Sequence, residues 1–170
     1  MATAPQRDDD AAAKETETKI IRDMKNMMLL IVGIVLTLVL LVVPDRVFEL
    51  GYYSNEFSNE MYNEGLYIVM AIVTSAVAWG SALLFYYAIN SVSFSRWYHW
   101  LVMLGVAAVV APVAGCLYCG SVFGSLGYDF SAQLTSFGIV DSIVSILLFV
   151  AASFSVRWWS SNCRHTPIPE

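Results

Sequence analysis

Asp141 is an acidic residue set in a long apolar run, between Leu134 and Val156, and it is the one carboxyl in any such run of this chain. A charge in hydrocarbon is costly, so such a residue turns toward the protein interior, where it carries a proton or ion or makes a structural hydrogen bond. On a helix, Gly138, Ser142 and Ser145 lie near it and form a small, polar face. Ile143, Ile146, Leu147 and Phe149 are better suited to lipid. Pro112, in a neighbouring run, falls at a similar depth. Proline has no amide hydrogen, so the carbonyl four residues earlier, on Ala108, loses its usual donor and becomes the expected acceptor for a neutral Asp141. Asp141, Ser142, Ser145 and Pro112 thus form a candidate intramembrane polar site, either structural or part of an ion or proton path. No second intramembrane charge completes a relay, which weighs against a pump.

A second candidate lies in the polar stretch 44–65. Ser54-Asn55-Glu56-Phe57, Ser58-Asn59-Glu60-Met61 and Tyr62-Asn63-Glu64-Gly65 repeat a four-residue pattern centred on Asn-Glu. Residues four apart are neighbours on a helix, so Glu56, Glu60 and Glu64 stack into an acidic stripe beside Phe57 and Met61. Like charges at that spacing oppose one another by a few tenths of a kcal/mol per pair, roughly, so the stripe does not serve helix stability. It reads as a solvated surface, a docking face for a basic partner, or a cation-attracting vestibule. An EF-hand calcium site is not expected, since its alternating Asp/Asn ligands and glycine are absent from the pattern.

Cys116 and Cys119 place two sulfurs on one helix face, and an oxidising compartment beyond that end would permit a disulfide or a redox pair. The Cys-Leu-Tyr-Cys spacing resembles that of four-helix membrane thiol oxidoreductases of the quinone-linked and vitamin K epoxide reductase kind, and the resemblance implies a possible redox role for these two thiols. It stops at that motif, because such enzymes need a second, mobile cysteine pair and only Cys163 remains. No His or acidic ligands accompany the sulfurs to complete a zinc site, so neither metal nor cofactor is expected.

The elements that must position these groups follow from hydropathy. Four apolar runs, at about 27–43, 66–89, 97–119 and 134–156, match the roughly 17 to 25 residues with which a helix crosses a bilayer. A backbone in hydrocarbon must satisfy its own hydrogen bonds, which selects helices for such runs. Hydrophobic residues make up 58% of the chain and charged residues 14%, and the mean hydropathy is +0.62, outside the range of soluble globular domains. Of the Lys and Arg residues, all but Arg46 lie before the first run, between the second and third, or after the fourth. The positive-inside rule then puts both termini in the cytoplasm and the 44–65 loop outside. Residues 1–18, rich in Ala, Asp and Glu, are expected to be a disordered cytoplasmic segment, and 157–170 a cytoplasmic tail. Ile20, Ile21, Met24, Met27 and Met28 recur at helical spacing, so the first helix is expected to begin near Lys19 and to lie partly in the inner interface.

Small residues recur at intervals of four in the third run, as Ala107, Ala111 and Gly115, and in the second, as Ala71 and Ser75, Ala76 and Gly80, and Ala78 and Ala82. Such spacing lets helix backbones approach closely, within the chain or between copies.

The expected protein is therefore an all-α membrane protein, four transmembrane helices in a compact bundle over 19–156, in a plasma or inner membrane. With little chain outside the spans, its expected role is non-catalytic: a scaffold or accessory subunit whose partners are the bilayer and other membrane subunits or itself, with no nucleic acid. An ion channel or small transporter using Asp141 is the alternative, and a thiol redox protein using Cys116 and Cys119 the third. The orientation is open to test. A membrane-impermeant thiol reagent is expected to reach a cysteine placed at Ser58 from outside intact cells and to leave Cys163 untouched; the reverse pattern would overturn the topology.

Overall fold

The computed structural model describes residues 6–88 and 97–159. Among them the chain is all-helical with no strand. Arg96, Cys163 and Arg164, used above to orient the chain, lie outside the described residues. The long helices are α1 (Gln6–Val42), α4 (Leu66–Leu83), α5 (Trp97–Leu126) and α6 (Ser131–Val156). The short α2 (Pro44–Glu49) and α3 (Asn55–Asn63) occupy the first connection. Among the described residues, four helices are long and apolar enough to cross a membrane, over Lys14–Val42, Leu66–Ala88, Tyr98–Leu126 and Ser131–Val156.

The first helix begins earlier than expected. It is unbroken from Gln6, inside the segment expected to be disordered, and its 37 residues span roughly 55 Å, well beyond a hydrocarbon core of about 30 Å. Ala11, Ala12, Ala13, Lys14, Glu15 and Glu17 are good helix formers, and once the span has nucleated the helix each further residue adds a hydrogen bond. Because nothing breaks the helix between Gln6 and Val42, the stretch before Met27 continues in line with the span. Pro44 ends it: the residue before a proline is pushed out of the helical region, and Val43 sits at φ −131°, ψ 57°. Proline then occupies the first turn of α2, where no amide hydrogen is needed. Gly65 (φ +65°) and Gly127 (φ +84°) supply the left-handed residues for the tight turns before α4 and after α5.

α6 is the element that the others share. It packs along α1, α4 and α5. Ala107, Ala111 and Gly115 of α5 are all buried, and a methyl group at Gly115 would meet the side chain of Met70 on α4. Ala71, Ser75, Ala78 and Ala82 are buried as well, whereas Ala76 is exposed. Ile143 and Leu147 face outward as expected, but Phe149 is buried against Trp100, ring centroids 5.6 Å apart. Its position on α6 falls in the seam with α5, which hydropathy alone does not reveal.

The first connection forms a cap over one end of the long helices. Phe57 and Met61 of α3 are both 0% exposed. Phe57 lies 5.8 Å from Phe123, 5.6 Å from Phe130 and 5.7 Å from Phe137, and Phe48 of α2 lies 5.1 Å from Phe137. The aromatic rings thus join α2, α3, α5 and α6. Ser58 is also buried in this cap, so the exposed Asn59 is the better site for an introduced cysteine.

Close approach at Gly33 brings α1 onto α6, where any added carbon would meet Ser155 Oγ and Cβ. Gly33→Leu is expected to destabilise the fold by about 1 to 3 kcal/mol, the range for overpacking a filled contact. Denaturation in detergent micelles measures this, with Ala76→Leu on an exposed face as the neutral comparison.

Candidate functional site

Three consecutive polar ties cross between helices near the middle of the molecule. Asp141 of α6 is 0% exposed, and its Oδ1 lies 2.6 Å from Thr74 Oγ1 on α4. Thr74 Oγ1 lies 2.8 Å from the carbonyl oxygen of Met70, one turn back on its own helix. One turn along α6, Ser145 Oγ donates to the carbonyl of Ala107 on α5 at 2.9 Å. On α1, Thr37 Oγ1 accepts a hydrogen bond from Trp79 Nε1 of α4 at 2.9 Å and donates to its own Gly33 carbonyl at 2.8 Å.

The proton count at Thr74 bears on the state of Asp141. A hydroxyl has one proton, yet Thr74 Oγ1 sits at hydrogen-bond distance from two oxygens. A neutral Asp141 resolves both contacts, with its own O–H donating to Thr74 and the Thr74 proton passing to Met70. The second carboxyl oxygen, Oδ2, is buried without a partner. A carbonyl oxygen tolerates that at far lower cost than half of a carboxylate. The contact links α6 to α4, and a neutral carboxyl is the state that satisfies it at least cost.

The partner differs from the one expected from sequence. Asp141 does not meet the carbonyl freed by Pro112 but a hydroxyl on another helix, and the α5 carbonyl that α6 does engage, Ala107, is taken by Ser145. Helix rotation is the reason: Asp141 and Ser145 turn inward, while Pro112 and Ser142 border a groove of 310 Å³ between α5 and α6, with Ala108, Cys116 and Gly138. Thr74 is the residue sequence reasoning passed over. Its signal was available as depth, since it lies eight positions into its run from Leu66 and Asp141 seven into its run from Leu134.

The other candidate groups are dispersed. Glu56 and Glu64 are exposed and Glu60 half-buried, while Phe57 and Met61 belong to the core of the cap. The face that α3 turns outward is thus acidic and polar. Tyr67 of α4 donates from its hydroxyl to Glu49 Oε1 at 3.2 Å, tying α2 to α4. Cys116 and Cys119 are free thiols, Cys119 buried and Cys116 donating to the Leu134 carbonyl at 3.5 Å. No group of three or more His, Cys, Asp or Glu residues that could hold a metal ion occurs among the described residues.

Comparison with known proteins finds no family model, curated relative or solved structure that matches the chain.

The contact of Asp141 with Thr74 makes a defined prediction. Asp141→Asn is expected to keep the fold, since the amide retains size and donor capacity, whereas Asp141→Leu should cost roughly 1 to 2 kcal/mol. A double-mutant cycle with Thr74→Val should return a coupling of about 0.6 kcal/mol or more, the average for interhelical hydrogen bonds in membranes. Additive effects of the two single changes would show that the contact contributes nothing.

Proposed function

We propose that this chain is a non-catalytic membrane protein, a four-helix bundle with both termini cytoplasmic, that acts as a scaffold or accessory subunit of a larger assembly in a plasma or inner membrane. The reading is supported chiefly by where its polar interior groups go. Asp141, Ser145 and Trp79 each tie one helix to another, and Asp141 is sealed from solvent rather than lining an aqueous path. A channel built on Asp141 needs that carboxyl to meet water or an ion. A thiol enzyme needs both sulfurs within reach of a partner thiol, and Cys119 is enclosed.

The surfaces left over suit contact with other molecules. α1 packs along one side only, and Ile31, Val35, Leu38 and Val42 stay exposed along the other. Its length before Met27 gives a helical arm that extends past the membrane-spanning part. At the opposite end, Glu56 and Glu64 stand outward on the aromatic cap, presenting negative charge. The only ion pair among the described residues joins Arg46 to its neighbour Asp45. Orientation is supported by the contact of Ser155 near the end of α6 with Leu29 of α1, which brings Lys25, Arg22 and Lys19 to the same end as Arg157.

The stripe and the transport alternative are tested together. In native membranes, Glu56, Glu60 and Glu64 changed jointly to Gln should weaken a stoichiometric complex in a salt-sensitive manner while the isolated protein keeps its thermal midpoint. Purified protein in liposomes should show no ion uptake above empty vesicles. Flux that disappears in the folded Asp141→Asn variant would overturn the scaffold reading in favour of a channel or transporter.

A further inference from the structure

Arg157 follows directly on α6, in a short 3-10 turn of residues Arg157–Trp159, and its side chain is only 6% exposed. A buried guanidinium ordinarily pairs with a carboxylate or donates to several carbonyls, because an uncompensated charge out of water is among the costliest features a fold can carry. Arg157 does neither. Its Nη1 is buried without an acceptor, and its recorded contacts are with aromatic faces: Trp158 at 4.1 Å and Phe154 at 5.2 Å from the ring centroids. Those contacts stabilise a cation without neutralising it or satisfying its N–H groups.

The surroundings point in the same direction. Trp158 Nε1, a donor only, is likewise buried without an acceptor. Ser155 Oγ lies 3.0 Å from the Leu29 carbonyl of α1. Since the two helices run in opposite directions, Asn26 and Lys25 come level with the turn Arg157–Trp159 that follows α6. Tyr87, in the π-helical turn Leu84–Ala88 that follows α4, donates from its hydroxyl to the Val156 carbonyl at 3.2 Å and stays partly exposed. This end of the structure thus combines exposed aromatic rings, the mark of headgroup level, with N–H donors that lack acceptors and with the basic residues of α1.

We propose that Arg157 and the Trp158 indole form a site for a phosphate group, that of an anionic phospholipid headgroup or of a soluble phosphate, at the end of α6. A phosphate oxygen supplies the acceptors that both groups lack, and guanidinium matches it with two parallel hydrogen bonds. Basic pockets between transmembrane helices at the membrane surface select anionic headgroups for this reason. The site is separate from the contact of Asp141 with Thr74 and does not depend on the scaffold reading.

The test uses the full chain in phosphate-free dodecyl maltoside micelles, with and without added phosphatidylglycerol, and with inorganic phosphate added to the lipid-free micelles as a separate arm. Thermal midpoint and lipid retained in native mass spectrometry are the readouts. Phosphatidylglycerol should raise the wild-type midpoint and be retained, which identifies the lipid as the source; a rise with inorganic phosphate alone would identify the soluble anion. Arg157→Gln should weaken the bound species by about tenfold or more, the factor one charge-assisted hydrogen bond supplies. Trp158→Phe keeps the ring beneath the guanidinium and deletes the N–H, so it should weaken binding with the fold intact even where Arg157→Gln proves unstable. No response of the wild type to either phosphate source, or a response unchanged in both variants, would overturn the proposal.

Discussion

Inside hydrocarbon, helix association gains nothing from excluding water, so it depends on close packing and on hydrogen bonds between side chains and neighbouring helices. In this protein those contacts converge on α6. Its Asp141 meets Thr74 of α4, its Ser145 the backbone of α5, its Ser155 the backbone of α1, and its Ser153 accepts from Trp100 at 3.3 Å. Two of them lie where small residues let the backbones approach: Gly33 faces Ser155, and Ala107 is the residue whose carbonyl Ser145 reaches. Small size and polar contact are two parts of one device, because a short hydroxyl side chain reaches a neighbouring backbone only where no bulky group intervenes.

The two ends of the molecule solve a different problem. At the end covered by α2 and α3, water is present again and burial of apolar surface regains its force, so stability there comes from aromatic rings rather than hydroxyls. Phe48, Phe57, Phe123, Phe130 and Phe137 form one cluster fed by four helices and a turn. The acidic residues of α3 are thereby carried on a fixed platform, which separates their charge from the hydrocarbon and aims it at solvent. At the opposite end, aromatic rings sit beside an arginine instead of beside one another, and polarity is left unmatched within the chain.

What the sequence determined by itself was the set of long helices, since runs of apolar residues of membrane-spanning length admit no other backbone that satisfies its own hydrogen bonds. Spacing also identified the inward-facing small residues of α5 and the amphipathic character of residues 55–63, because both depend on a period of about 3.6 residues that the chain carries locally. Depth was legible too, for Asp141 and Thr74 could each be counted from the end of a run. Rotation about each helix axis and the choice of neighbours were decided only by the tertiary structure. Within an all-apolar span hydropathy marks no inner face, so nothing local distinguishes Phe149, which is buried, from Leu147, which is exposed. For the same reason the partner of Asp141 was Thr74 on α4 rather than a carbonyl of α5, and Arg157 passed as a flanking charge until the fold showed it enclosed. Periodicity along one helix is a property of that helix; a pair of facing side chains is a property of two, and only their packing brings it about.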